Sequence, residues 1–214
     1  MLFDMDGVLV DSTPAVERVW HEWALEHGFD GAEVVRKAHG RPSLATIIEL
    51  LPHGDHDAEN RDVERREIED IADVVALPGA LHLLQSIPPH RWTIVTSATR
   101  QLAEVRLRTS GLPVPVRFVS CDDVARGKPF PDPYLKGAEI LGFAPADCVV
   151  AEDAASGIRA AKTAGARVLA LRTTSTETEL LSAGADWLAT DLSSLSLQPQ
   201  TQSAALVFLL QEKK

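Results

Sequence analysis

Short apolar runs alternate along the chain with longer amphipathic runs. Runs of four to six residues rich in Val, Ile, Leu and Ala are typical of strands buried on both faces. They predict strands at Leu2–Met5, Trp92–Thr96, Val116–Ser120, Cys148–Ala151, Arg167–Leu171 and Asp186–Ala189. The amphipathic runs predict helices near Ala80–Ile87, Arg100–Ser110, Tyr134–Leu141, Ser156–Ala164 and Glu177–Ala183.

Glycine follows several of the amphipathic runs, where a helix often ends in the left-handed conformation. These glycines are Gly28, Gly111, Gly142, Gly165 and Gly184. Strands that alternate with helices through short links predict an α/β fold, a doubly wound parallel sheet with helices on both faces. Sheets of this kind bind ligands at the carboxyl ends of their strands.

Residues 14–77 interrupt the alternation, because they contain helical patterns and no convincing strand. Pro14 stands where a first helical turn would begin, and Leu44–Leu51 has one apolar face. The charge-rich stretch Glu59–Asp73 is typical of a solvated helix face with i,i+4 pairs such as Asp62–Arg66. We predict a small all-helical cap domain at 14–77, inserted into a core domain of 1–13 and 78–214. Ser193–Lys214 has too weak a pattern to place.

Composition and charge narrow the class of protein. The chain has 214 residues, 45% hydrophobic and 24% charged, which is ordinary for a soluble globular protein. The net charge of -10 argues against a nucleic-acid partner. Two cysteines form no disulfide framework, no signal-peptide pattern opens the sequence, and the apolar run Ala204–Leu210 is too short to span a membrane. We expect a cytoplasmic protein, a monomer or weak homodimer, with no membrane partner.

An acidic protein can bind an anion only through a local cation. The first candidate site is Asp4-Met-Asp6-Gly7, at the end of an apolar strand. In an extended strand the two carboxylates point to the same side, so that one could attack while the other moves a proton. A calcium loop is the competing interpretation, but it needs glycine at the sixth position, and here glycine is fourth. The plainer alternative is a polar turn.

Three further segments carry candidate chemistry. The strand ending at Thr96-Ser97 enters a helix, where hydroxyl and N–H groups form an anion site or simply a helix cap. Lys128 lies among prolines, as a point charge for a phosphoryl oxygen or as part of a surface loop. Glu152-Asp153 follow another apolar strand and suit Mg²⁺, although Asp153 could only cap a helix.

All four segments follow predicted strands or their loops at one edge of the sheet, and together they resemble the motifs of the haloacid-dehalogenase-like phosphatases. The resemblance covers residues 1 to about 190, and the cap lies where that family places its small helical cap. Residues 95–100, 127–137 and 152–158, with His39-Gly40-Arg41, are similar to the sugar-phosphate and glycerol-phosphate phosphatase branch.

The resemblance implies a two-step phosphoryl transfer. Asp4 would attack phosphorus to form an aspartyl-phosphate, and Asp6 would protonate the leaving alcohol and then deprotonate water. Mg²⁺ would bind Asp4, the backbone carbonyl of Asp6 and Asp153, with Glu152 nearby. The phosphoryl oxygens would be held by Gly7, Thr96, Ser97 and Lys128.

The cap would select the substrate, a small phosphate monoester. The candidate contacts are Glu17, Trp20, His39 and Arg41, although Trp20 could be a core residue and Arg41 a surface one. The group His53, Asp55, His56 and Asp57 has poor spacing for a metal, and we predict a polar loop there.

Two other functions stay open. A sugar phosphomutase of the β-phosphoglucomutase type would resemble this core, but such enzymes carry a cap histidine near position 16, where this chain has Val16. A non-catalytic sugar-phosphate-binding regulator would have lost a nucleophile or a metal ligand, and each position is filled here by a suitable residue. The favoured prediction is a Mg²⁺-dependent phosphatase of a sugar or polyol phosphate.

Overall fold

The computed structural model describes residues 1–38, 41–198 and 205–210. Its strands are β1 (Leu2–Phe3), β2 (Val10–Asp11), β3 (Val75–Ala76), β4 (Thr93–Ile94), β5 (Val149–Glu152), β6 (Arg167–Leu171), β7 (Trp187–Ala189), β8 (Leu195–Leu197) and β9 (Phe208–Leu210). Its helices are α1 (Thr13–Glu26), α2 (Gly31–Ala38), α3 (Ser43–Leu50), α4 (His56–Glu69), α5 (Ala80–Ser86), α6 (Arg100–Thr109), α7 (Asp132–Leu141), α8 (Ala155–Thr163) and α9 (Glu177–Ala183).

A parallel sheet of order β4-β1-β5-β6-β7 forms the centre of the fold. Neighbouring residues of its strands enter opposite hydrophobic clusters: Phe3 packs on one face, with α5 and α6, and Leu2 packs on the other, with α7, α8 and α9. Because both faces are covered, the strands are apolar throughout, which is the pattern read in the sequence. The predicted doubly wound α/β fold is confirmed.

The segment Val116–Ser120 differs from its prediction as a strand. Only Val119 pairs, through a parallel bridge to Val95, and Val116 is fully exposed. Pro113 and Pro115 precede this segment and cannot donate backbone hydrogen bonds. The apolar run therefore pairs with the edge of the sheet only near its end, at Val119.

Helices α1–α4 lie between β2 and β3 and pack around a hydrophobic cluster of their own, which includes Trp20, Trp23, Ile47 and Val63. The prediction that residues 14–77 contain no strand is wrong at β3, which pairs antiparallel with β2. This two-residue strand is specified by a partner about 65 positions away, and local alternation cannot reveal such pairing. The β2–β3 pair ties the two ends of the helical segment together.

Several smaller predictions are also settled. All five glycines predicted at helix ends have positive φ, for example 73° at Gly142 and 104° at Gly184. Nε of Arg66 donates to Asp62 at 2.7 Å, which confirms the predicted i,i+4 pair. Of the unplaced segment Ser193–Lys214, β8 and β9 form an antiparallel pair. Within the described ranges, none of the helices has both the length and the apolar character that a membrane crossing requires.

Candidate active site

A cavity of about 470 Å³ opens at the carboxyl ends of the parallel strands. Asp4 follows β1, Thr96 lies just beyond β4, and Asp153 comes directly after β5. The opposite wall is formed by side chains of α1, α3 and α4. The structure brings every core residue singled out in the sequence to this cavity, namely Asp4, Asp6, Gly7, Thr96, Ser97, Lys128, Glu152 and Asp153.

Lys128 is the cation at the centre of this group. Its Nζ lies 2.8 Å from Oδ1 of Asp4 and 2.6 Å from Oε1 of Glu152. The ammonium group also lies 5.2 Å from the centre of the Tyr134 ring. Burial disfavours its charge, but the two carboxylates outweigh burial and raise the pKa of Lys128. The side chain therefore stays protonated beside the position of Asp4.

Glu152 is fully buried, and both of its carboxylate oxygens have partners. Oε1 accepts from Lys128 and from the Tyr134 hydroxyl at 2.5 Å, and Oε2 accepts from the backbone N–H groups of Asp153 and Ala154. Gly157 makes room for this carboxylate, because a Cβ there would lie 1.7 Å from Oε1. The contacts make Glu152 an anchor for Lys128.

Asp153 is held from two sides. Its Oδ2 accepts a hydrogen bond from the Thr174 hydroxyl, and the same oxygen would lie 2.0 Å from a Cβ at position 7. Gly7 has a φ of 76°, so glycine is required there for both its backbone conformation and its lack of a side chain. Thr173 donates to the Gly7 carbonyl at 2.5 Å. The loop after β6 thus supports both the Gly7 turn and Asp153.

Negative charge is concentrated at this point. Burial raises the pKa of Asp4 to about 7, with Lys128 opposing this rise and Glu152 adding to it. Burial, with the charges of Glu152 and Asp4, likewise raises the pKa of Asp153 well above its usual range. Three carboxylates face one ammonium group, so the cluster favours a further cation.

The donor set fits a hard divalent cation. Oxygens of Asp4, Glu152 and Asp153 lie within 4.8 Å of one another. Oδ1 of Asp153 is buried and has no hydrogen-bond partner in the described part of the chain. A buried carboxylate oxygen without a partner is costly, and a bound cation would relieve that cost. Oxygen ligands of this kind suit Mg²⁺.

Asp6 occupies a different environment from Asp4, although both line the cavity. Its Oδ1 accepts from the Ser12 hydroxyl at 2.6 Å and lies 3.0 Å from Nη1 of Arg106. The Asp6 carboxylate is therefore separate from the cluster of Asp4, Glu152 and Asp153. The two acidic residues of the first motif have the distinct settings that distinct roles require.

Thr96 and Ser97 turn the chain from β4 toward α6. Oγ1 of Thr96 accepts from the Ala98 N–H at 3.0 Å, and the Thr99 side chain caps α6. This turn points hydroxyl and N–H groups toward the same space as Asp4 and Lys128. It is suited to hold oxygens of an anion.

The helical wall contains three of the four predicted substrate contacts. Glu17, Trp20 and Arg41 line the cavity, and His39 lies outside the described residues. Trp20 is also 98% buried in the helical cluster, so the core and cavity interpretations both hold for it. Nη1 of Arg41 donates to Glu49 at 3.0 Å. Val16, at the position where a mutase would carry histidine, lines the cavity too.

The predicted polar loop covers only part of the His53–Asp57 stretch, because helix α4 begins at His56. Asp55 caps α4 by accepting from the Ala58 N–H, and Nε2 of His56 contacts the Leu51 carbonyl at 2.6 Å. These contacts engage Oδ1 of Asp55 and Nε2 of His56, two of the groups that a metal at this stretch would need.

Four residues near the site were missed in the sequence: Glu67, Arg106, Tyr134 and Thr174. Tyr134 had one available signal, since it lies six residues after Lys128 on the buried face of α7. The other three sit in amphipathic or loop segments with no local feature that sets them apart. Their roles come from contacts between distant parts of the chain.

Comparison with known proteins agrees with this geometry. A family model described as haloacid dehalogenase-like hydrolase matches residues 1–165. Hexitol phosphatase A of Escherichia coli is 43% identical over 178 residues, which cover 79% of this chain and 81% of that protein. Glycerol-1-phosphate phosphohydrolase 2 of Saccharomyces cerevisiae is 31% identical, over 81% of this chain and 74% of that protein.

A solved structure of β-phosphoglucomutase from Clostridium difficile has the same fold. It superposes with a TM-score of 0.78, covers 91% of this chain and 92% of that chain, and is 20% identical. At that identity the likeness supports the architecture alone.

Proposed function

Because the chain belongs to the haloacid dehalogenase-like hydrolases, we propose that it is a phosphatase that hydrolyses a small sugar or polyol phosphate. One observation carries the proposal. The Asp4 carboxylate lies 2.8 Å from the Lys128 ammonium in a cavity that Asp153 also lines, and Oδ1 of Asp153 has no hydrogen-bond partner among the described residues. A nucleophile, a cation for the phosphoryl oxygens and carboxylate oxygens that can hold a metal ion are the groups that phosphoryl transfer uses.

In the first step, a carboxylate oxygen of Asp4 forms a bond to phosphorus as the bond from phosphorus to the leaving oxygen breaks. Asp6 gives its proton to that oxygen, so the product leaves as a neutral alcohol. In the second step, Asp6 takes a proton from water, which attacks phosphorus and releases inorganic phosphate and the Asp4 carboxylate. Lys128, Thr96 and Ser97 hold the phosphoryl oxygens. The Gly7 N–H donates to the Val10 carbonyl at 2.8 Å, so we assign Gly7 to the shape of the turn rather than to phosphate binding.

Mg²⁺ is the cation that we propose for this site, held by Asp4, Asp153 and the backbone carbonyl of Asp6. When bound, it neutralises charge on the phosphoryl oxygens. Since both oxygens of Glu152 are already occupied, we place Glu152 behind Lys128, as its anchor, rather than among the direct ligands.

The helical segment supplies a cap over the leaving group. The side chains on this wall include apolar groups such as Val16 and Leu44, and the polar groups Glu17, Asn60 and Glu64. Its arginine, Arg41, is already paired with Glu49. Carboxylates repel a second phosphate but accept hydrogen bonds from hydroxyl groups. We therefore propose that the leaving group is a neutral, hydroxyl-rich alcohol.

This wall counts against the phosphomutase alternative. A mutase must bind a second phosphoryl group on the leaving side, and Val16 offers no proton-transfer group there. The non-catalytic alternative is disfavoured because Asp4, Lys128 and Asp153 all have the settings that catalysis requires. The net charge of -10 supports the absence of a nucleic-acid partner, and we propose a cytoplasmic monomer or weak homodimer.

Phosphate release from a panel of hexitol, glycerol and sugar phosphates, with Mg²⁺, tests the function. Asp4→Asn should abolish release, because an amide of the same size cannot form the acyl-phosphate and the uncatalysed reaction is extremely slow. Asp147→Asn, an identical change at an exposed position, is the matched control. Wild-type turnover by Asp4→Asn, or isomerisation of a sugar phosphate without phosphate release, would refute the proposal.

A further inference from the structure

Arg106, on helix α6, is a buried arginine between two carboxylates. Only 4% of the residue is exposed. Its Nη1 lies 3.0 Å from Oδ1 of Asp6, and its Nη2 lies 3.1 Å from Oε2 of Glu67, on helix α4. A buried guanidinium is costly unless it is well paired, so these two contacts determine where it sits. One side chain thus connects the proposed general acid–base with the helical wall.

The contacts of Asp6 determine which of its carboxylate oxygens is free of the Ser12 and Arg106 donors. Oδ1 accepts from the Ser12 hydroxyl and lies against the Arg106 guanidinium, so its lone pairs already face donors. Two donors on one oxygen also restrict rotation of the carboxyl group. Arg106 and Ser12 together leave Oδ2 as the oxygen available to the substrate.

The Glu67 contact depends on how α4 sits against α6. A second polar contact joins the same helices, since the Thr99 hydroxyl donates to Oε1 of Glu64 at 2.5 Å. Thr99 caps α6, so both contacts link α4 to the helix that starts beside the phosphate-binding turn. Glu67 is buried, and separating the helices would leave its carboxylate without the Arg106 partner.

We propose that Arg106 is a positioning residue that orients Asp6 for proton transfer, and that its ion pair with Glu67 makes this orientation depend on docking of α4. The inference rests on the proposed phosphatase function and on the role given there to Asp6. General acid help requires the proton donor within hydrogen-bond reach of the leaving oxygen. A misplacement of about 1 Å can cost ~10²-fold in rate.

Two substrates separate positioning from support of the fold. A polyol phosphate has an alkoxide leaving group that needs a proton, whereas p-nitrophenyl phosphate has a leaving group that does not. The kcat/KM of each is measured for Arg106→Met, Arg106→Lys and Glu67→Gln, alone and in the Asp6→Asn background. Arg108→Met is the matched control, two residues along α6, where the arginine is exposed and paired with Glu104.

We expect Arg106→Met to lower kcat/KM by about 10–100-fold for the polyol phosphate and only a few-fold for the aryl phosphate. In the Asp6→Asn background the same change should have almost no further effect, because the group that Arg106 orients is gone. Arg106→Lys should recover part of the loss. Glu67→Gln, which leaves the contact between Arg106 and Asp6 in place, should show a smaller loss with the same substrate selectivity.

Equal losses on both substrates, or an undiminished loss in the Asp6→Asn background, would overturn the inference and leave Arg106 with a structural role. If Arg106→Met fails to fold, Glu67→Gln decides: a loss confined to the polyol phosphate supports the inference, and none or an equal loss refutes it. Failure of the phosphatase proposal is distinct, because Asp4→Asn would then still release phosphate.

Discussion

At the scale of single residues, the site depends on neighbouring residues that position Lys128 and Asp153 without lying at the reacting atoms themselves. Lys128 is placed by Glu152, and Glu152 in turn by Tyr134 and by room over Gly157. Asp153 is placed by Thr174. In each case one hydroxyl or one absent methyl group determines where a buried charge sits. Changes at these supports should therefore alter metal binding and catalysis without touching the substrate.

Thr174→Val removes the hydroxyl that donates to Asp153 while keeping the size of the side chain. We expect the Mg²⁺ affinity to fall ~10–100-fold, the usual effect of losing a hydrogen bond to a metal ligand. Calorimetric titration with Mg²⁺ measures this directly, and the Mg²⁺ dependence of turnover checks it. Thr163→Val, which removes a hydroxyl bonded to a carbonyl within helix α8, is the control. An unchanged affinity would show that Thr174 does not orient Asp153.

Gly157→Ala places a methyl group where the Glu152 carboxylate now lies, 1.7 Å from Oε1. Since Glu152 is buried and fully bonded, it cannot move without losing partners. We expect a loss of ~1–3 kcal/mol in unfolding free energy, as for other overpacked sites, together with reduced turnover. Denaturant unfolding measures the first. Gly127→Ala, whose added carbon would meet only Pro42 at 3.8 Å, should change stability little. Equal stability of both variants would contradict the packing argument.

At the scale of elements, features that depend on neighbouring residues in the sequence could be predicted, and features that depend on contacts between distant residues could not. Strands and helices of the core have local signals, and β6 and α9 match their predicted bounds. Most of β6 is a continuous apolar run, and α9 is followed by Gly184. The acidic residues follow strand ends and Lys128 precedes a run of prolines, and these local features identify them in the sequence. Their convergence at one cavity followed from the topology of parallel sheets.

Helix α4 shows why the remainder was missed. Its charge pattern predicts a solvated face, and Asp62 and Arg66 form that face. Glu67 lies on the same helix but pairs with Arg106, 39 residues away, in the interior. No feature within α4 separates Glu67 from its exposed neighbours, because burial of a charge depends on a partner supplied by another element. Thr174 and β3 were missed for the same reason.

The element α3, with the turn before it, forms the part of the wall that includes Arg41. Arg41→Ala should lower kcat/KM for a polyol phosphate by about tenfold and leave an aryl phosphate almost unaffected. Arg41 lines the cavity, and its guanidinium has N–H groups besides the one that donates to Glu49; we propose that these donate to hydroxyl groups of the leaving alcohol. Arg65→Ala, on the outer face of α4, is the matched control. Parallel losses on both substrates would instead indicate a damaged cap, and no loss would place Arg41 outside the substrate contact.

At the scale of the whole molecule, the β2–β3 pair is the connection through which the helical segment joins the sheet. Closure across this pair would exclude water from the cavity and bring the helical wall onto the leaving group. Through its contacts with Asp6 and Glu67, Arg106 would then make the orientation of Asp6 depend on closure of the helical segment. The whole protein has a net charge of -10, and the carboxylates in the cavity add local negative charge that favours binding of a cation.

Mg²⁺ should therefore stabilise the entire fold, and more so at higher pH. Burial raises the pKa of Asp4 to about 7 and that of Asp153 as well, so the folded protein without metal binds more protons than the unfolded chain between about pH 4 and about pH 7. Its stability falls as pH rises through that window.

Mg²⁺ binds the deprotonated carboxylates, and at a concentration of about 100 Kd it adds ~2.7 kcal/mol to the free energy of unfolding. Thermal unfolding with Mg²⁺ or with EDTA should show a larger Mg²⁺-dependent rise in Tm at about pH 8 than at about pH 5. Asp153→Asn should lose this rise and Asp147→Asn should keep it. A rise of equal size in Asp153→Asn, or one that shrinks as pH increases, would mean that the cation binds elsewhere.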